Sequence, residues 1–258
     1  MSRLAKVFAT GRPAFVAYIM GGDPDREKSQ ALMTAMPEAG VDIIELGFPF
    51  TDPMADGPVI EEAGIRARKA GTSLRSVLDM TTEFRKQNDA TPIIVMGYAN
   101  PVYQMGYAAF ANAAAKAGVD GAIIVDLPPE EDAELRSEMD GRGLSLIRLA
   151  TPTTDAARLP KVVSGSSGFV YYVSMTGVTG AALSEGGSVT EQVKRVRDAA
   201  GLPVVVGFGV KTPKRAAEIA ADADGVVVGS AIVNTFHRHG HDAALKLMRS
   251  LARAIHGQ

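Results

Sequence analysis

The sequence predicts a (β/α)8 (TIM) barrel forming a single domain over residues 1–258, and three observations carry that expectation. Eight short, mostly apolar runs recur along the chain. Ala-rich segments with charges at helical spacing separate them. The length of 258 residues suits such a barrel, which typically uses roughly 250. An open doubly wound sheet is the competing α/β architecture; eight runs in this length favour the barrel.

The runs are Phe15–Met20, Asp42–Gly47, Ile93–Gly97, Gly121–Asp126, Leu144–Leu149, Gly168–Ser174, Pro203–Gly207 and Gly225–Gly229. They are continuously apolar, not alternating, as strands covered on both faces are. The fifth is interrupted by Ser145 and Arg148. Helices are expected over Asp25–Ala39, Tyr107–Ala117, Glu130–Arg142 and Thr212–Ala221, among others. Asp23-Pro24 and Thr212-Pro213 read as an N-cap followed by a proline at the first helical position. Ser188-Val-Thr-Glu191 fits a capping box. Ala39-Gly-Val-Asp42 and Ala117-Gly-Val-Asp120 repeat one helix-to-strand join, with glycine placed to take the left-handed conformation.

Apolar residues make up 46% and charged residues 22%, which suits a sizeable packed core and argues against disorder. A net charge of −2 argues against a nucleic-acid partner. No run approaches the ~20 apolar residues of a membrane span, and no signal peptide is evident, so the expected location is cytoplasmic. With no cysteine, thiolate catalysis and cysteine-based metal sites are excluded.

In a barrel the active site is built where the strands end. Glu45 is a carboxylate inside the run I-I-E-L-G. Facing the helices it needs a salt-bridge partner; facing the barrel mouth it is a candidate general acid or base with a raised pKa. Asp56 precedes Gly57-Pro58, where a turn or helix-entry role fits as well as a catalytic one. Its loop, Phe48–Gly57, is long for a strand-to-helix connection. Glycines follow the sixth, seventh and eighth runs at Gly177 and Gly180, at Gly207 and Gly209, and at Gly229, which Ser230 follows. Such segments let backbone N–H groups reach a phosphate. All four histidines (His237, His239, His241 and His256) lie beyond the last run, and no lysine ends the first six. What remains is proton transfer by carboxylates and tyrosines on a phosphorylated substrate.

The segment E-L-G-F-P-F-T-D-P-M-A-D-G-P closely resembles the signature of the tryptophan synthase alpha subunit family. So do F-V-A-Y-I-M-G-G-D-P, M-G-Y-A-N-P, D-L-P-P-E-E, Y-Y-V-S-M-T-G-V-T-G, G-F-G-V and V-G-S-A-I-V, covering essentially the whole chain. The resemblance implies a lyase that cleaves indole-3-glycerol phosphate to indole and glyceraldehyde 3-phosphate, with no cofactor or metal in this chain. It places Glu45 as the general acid/base and Asp56 as the acid that holds the indole N–H. It places Tyr171 beside the reacting centre and Thr179 as a loop partner of Asp56. Gly180, Gly209, Gly229 and Ser230 match the phosphate cradle, and Tyr18, Met96, Ile123 and Phe208 surround the indole. It further implies a pyridoxal-phosphate beta subunit in an α2β2 heterotetramer. Pro49, Asp52, Pro53 and Asn100-Pro101, at the active-site end, are expected in that contact, and the four glycines of Met175–Gly187 predict a flexible lid. Tyr18 departs from the phenylalanine common in the family, Glu61 from an uncharged polar residue, and Met175 sits at a variable place. Other readings are a phosphate-binding isomerase or flavin barrel, and a noncatalytic activator of a partner.

Overall fold

The computed structural model describes residues 1–173, 188–207 and 209–258. Its strands are β1 (Ala14–Met20), β2 (Ile43–Gly47), β3 (Ile93–Gly97), β4 (Gly121–Ile124), β5 (Ser145–Leu146), β6 (Arg148–Ala150), β7 (Val170–Val173), β8 (Val204–Gly207) and β9 (Gly225–Val228). Every pairing is parallel, in the order β5-β4-β3-β2-β1-β9-β8-β7-β6. β5 and β6 are the two halves of the fifth run, parted at Ile147. The first half pairs with β4 and the second with β7, so this one run closes the ring. The split has a local cause. The Leu146 and Arg148 N–H groups donate to the hydroxyls of Ser167 and Ser166 at 3.1 and 3.3 Å. The eight expected runs are therefore the staves of the barrel, one of them broken.

Both faces of the strands are apolar because each has its own core. Phe15, Ala17, Ile19, Ile44, Leu46 and Val95 pack outward against the helices. Val16, Ile43, Ile94, Ile123, Ile147, Phe169, Val205 and Val227 fill the barrel. The helix Arg3–Phe8 stops the N-terminal end, with Leu4 buried and the Phe8 and Phe169 rings 5.8 Å apart.

The repeated helix-to-strand join has a shared design. Gly40 and Gly118 hold φ of 90° and 83°, open to glycine and costly for other residues. The aspartate two residues on then accepts a backbone N–H from the neighbouring strand: Asp42 from Phe15 and Asp120 from Ile93, both at 2.8 Å. Asp224, before β9, does the same for Val204 at 2.7 Å. Each is also paired with an arginine: Arg12, Arg85 and Arg197 respectively.

Thr212 caps the helix Pro213–Ala220, and both bonds of the Ser188–Glu191 capping box are present. Asp23 is not an N-cap. Its two oxygens are turned to the Arg66 guanidinium, at 2.7 and 2.9 Å. Asp25 caps instead, accepting from the Lys28 N–H at 2.8 Å, and the helix runs Arg26–Ala35. A 3-10 turn, Pro37–Ala39, follows it, since proline has no N–H to continue the α-helical ladder. The helix expected over Glu130–Arg142 is shorter, Ala133–Asp140. Among the described residues no helix is long and apolar enough to cross a membrane.

Candidate active site

Inward-facing residues at the C-terminal ends of the strands form a mostly apolar chamber around one carboxyl. Tyr18 on β1 lies beside Glu45 on β2, which lies beside Ile94 on β3. Met96 pairs with Ile123, and Tyr171 closes the far side on β7. Glu45 is 1% exposed. Its Oε2 is buried with no hydrogen-bond partner, and no cation forms an ion pair with it among the described residues. Desolvation alone pushes its pKa up to about 8, because the apolar surroundings penalise the charged form. The salt-bridge alternative finds no partner. A carboxyl with this pKa is protonated at neutral pH and can exchange its proton in either direction.

Glycines make room for the aromatic groups around it. A Cβ on Gly207 would lie 2.1 Å from the Tyr171 hydroxyl, and one on Gly47 would lie 2.2 Å from that of Tyr18. On the outer face, a Cβ on Gly97 would strike the Phe48 ring of the helix-facing core at 2.2 Å. Both chamber tyrosines have their pKa raised by burial first and by Glu45 among nearby charges. They stay neutral, so each keeps a proton it can offer.

Asp56 sits half-buried on the loop after β2. The Tyr98 hydroxyl donates to its Oδ1 at 2.9 Å and accepts the Ala55 N–H at 3.1 Å. The Phe50 ring stacks on Tyr98 at 5.5 Å, and the Asp56 N–H donates to the Pro53 carbonyl. Tyr98, immediately after β3, thus organises the loop. Nothing local in the sequence marks it for that role, because the pairing spans 42 residues and is tertiary. Burial raises the Asp56 pKa, the Tyr98 bond opposes that, and the charge of Glu61 adds to it.

Three expected phosphate contacts lie in the described chain. Gly209 follows β8 with φ of 74°. Gly229 occupies the N-cap position of the helix Ser230–His239, and Ser230 is its first residue. N–H groups in a first helical turn lack intrahelical partners and favour anions. Thr179, Gly180, Phe208 and the Met175–Gly187 segment lie outside the described residues. No cluster of three His, Cys, Asp or Glu side chains that could hold a metal occurs among the described residues.

A family model for the tryptophan synthase alpha chain matches residues 4–256. The chain belongs to the tryptophan synthase alpha chain family. A relative from Novosphingobium aromaticivorans, a tryptophan synthase alpha chain, is 53% identical over 99% of this chain and 97% of its own. Among solved structures, tryptophan synthase subunit alpha from Legionella pneumophila superposes with a TM-score of 0.89 at 38% identity, covering both chains in full. Tryptophan synthase from M. tuberculosis, in its aminoacrylate-bound form, gives 0.89 at 37% identity over 99% of this chain and 100% of that one. These likenesses carry the TIM-barrel architecture.

Proposed function

We propose that this alpha chain catalyses the retro-aldol cleavage of indole-3-glycerol phosphate to indole and glyceraldehyde 3-phosphate, the alpha reaction of tryptophan biosynthesis. The observation that carries the reading is the buried carboxyl of Glu45, whose Oε2 has no hydrogen-bond partner and which burial holds protonated at neutral pH on β2. Carbon–carbon cleavage needs an electron sink, and the indole supplies its own. Glu45 gives its proton to indole C3, producing a cationic ring whose N–H is acidic; the Asp56 carboxylate accepts a hydrogen bond from that N–H. The Glu45 carboxylate then takes the proton from the hydroxyl on the glyceryl carbon attached to C3. The O–H pair becomes the aldehyde C=O, and the C3–carbon pair returns to the ring as its double bond. The ring nitrogen regains its lone pair, and Glu45 ends protonated.

Tyr171, Tyr18, Met96 and Ile123 enclose the ring, with Phe208 and Thr179 assigned to the same pocket. Gly180, Gly209, Gly229 and Ser230 hold the phosphate. No cofactor is required in this chain; pyridoxal phosphate belongs to the beta partner. That partner, in an α2β2 assembly, meets the loop bearing Pro49, Asp52 and Pro53 and the helix start at Asn100-Pro101. Met54 and Tyr103, beside them, are 79% and 66% exposed, large apolar groups suited to a protein contact. One barrel domain spanning 1–258 and a cytoplasmic location complete the reading.

Purified protein should release indole from indole-3-glycerol phosphate, and Glu45→Gln should abolish the release. Adding the beta subunit should accelerate it. Stimulation of the beta subunit by a wild type that itself releases no indole would replace the lyase with an activator role.

A further inference from the structure

The Tyr18 hydroxyl is a polar group in a pocket otherwise walled for an aromatic ring. Tyr18 is 7% exposed, and its hydroxyl makes no hydrogen bond to any described residue. The side chain is held in a defined direction by two glycines. Its Cβ packs over Gly229 on one side, where an added methyl would stand 3.3 Å away. Its hydroxyl lies over Gly47 on the other, where an added methyl would stand 2.2 Å away. The ring therefore crosses the inner face of β1 from the β9 side to the β2 side. It leads away from Gly229 and Ser230 and toward the strand of Glu45. Glu45 is its cross-strand neighbour on β2, and the charges of Asp56 and Glu45 add to burial in raising its pKa.

We propose that Tyr18 donates a hydrogen bond to a glyceryl hydroxyl oxygen of the substrate, and so serves as a positioning and specificity-determining group in place of a mere apolar wall. The proposal rests on the lyase reading and deepens it. Chemistry narrows the choice of partner. The phenol is neutral and offers a proton. The indole ring presents only an N–H, itself a donor, for which Asp56 is the stronger acceptor. The phosphate belongs with Gly209, Gly229 and Ser230, behind the ring's Cβ. The oxygens between ring and phosphate are those of the glyceryl chain. A site built to bond a substrate hydroxyl also rejects an analogue lacking it, because the donor is then left unpaired.

The test compares wild type with Tyr18→Phe, which keeps the ring and its glycine contacts and removes one oxygen. Steady-state cleavage of indole-3-glycerol phosphate is measured beside inhibition by indole-3-propyl phosphate, which keeps indole N–H and phosphate and lacks both glyceryl hydroxyls. The expected result is a fall of about tenfold in kcat/KM with less than twofold change in the analogue's inhibition constant. Unchanged cleavage overturns the proposal. So does an equal loss toward substrate and analogue, which assigns the oxygen to the indole or the phosphate. A wild type that releases no indole overturns the lyase reading itself, a result distinct from an active wild type matched by Tyr18→Phe.

Discussion

Replacing Glu45 by glutamine removes an ionisable group while keeping its shape, and the expected effects on activity and on stability have opposite signs. In the unfolded chain the carboxyl titrates near its ordinary 4.5, whereas in the folded chain burial holds it at about 8. Between those values the folded state keeps a proton the unfolded state has released, so wild-type stability falls as pH rises through that window and levels off above it. Worked from those two values, the loss between pH 6 and pH 9 is about 3 kcal/mol. The glutamine variant lacks this decline. Urea unfolding at pH 6 and pH 9 should therefore show the variant gaining about that much relative to wild type. Its release of indole should drop by at least about a hundredfold, the usual worth of a general acid. Wild-type activity should likewise decline above about pH 8 as Glu45 ionises. An identical pH dependence of stability in the two proteins would refute the argument that burial governs this carboxyl. Retained indole release would remove it as the catalyst.

Tyr98→Phe strips Asp56 of its hydroxyl partner and the Ala55 N–H of its acceptor. Because that bond opposes the upward shift of Asp56, the acid limb of the rate profile should move to higher pH, with kcat/KM down about tenfold at neutral pH. Gly47→Ala places a methyl against the Tyr18 hydroxyl and should cost about 1–3 kcal/mol in denaturant unfolding. Adding Tyr18→Phe, which deletes the nearest atom, should recover part of that cost, and strict additivity would disprove the contact. Asp120→Ala leaves Arg85, 10% exposed, without its counter-ion. That should destabilise by about 3–5 kcal/mol while leaving kcat per folded molecule unchanged, since Asp120 lies at the N-terminal end of β4.

Elements with a strong local signal were legible from sequence alone. The strand Ile93–Gly97 and the helix Tyr107–Ala117 fall where the pattern placed them, because length, periodicity and flanking glycines agree. Glu45 was legible for a similar reason: a charge inside a buried run has few places to go. Asp23 was misread because a proline after an aspartate is a local cap signal, while Arg66, 43 residues away, takes both its oxygens. Tyr98 was missed on the same ground, its partner being fixed by tertiary proximity alone. Asp56 needed the family signature, since its own position suits a turn equally well. The break in the fifth run had its marker in Arg148. That side chain leaves the barrel to bind Asp132, 2% exposed, and the carbonyls that end the helix Leu159–Val163.

That break has a mechanical consequence. A closed ring of parallel strands is stiff, because no stave can shift without dragging its neighbours. Here the sheet is instead a rolled ribbon whose two ends meet inside one short run at Ile147. At that seam the Ile147 N–H still donates to the Ala122 carbonyl of β4, while the Leu146 and Arg148 N–H groups, pointing the other way, go to serine hydroxyls. The interruption of the ladder thus lies across the ring from the strand carrying Glu45, which is near the middle of the ribbon and keeps its register on both sides.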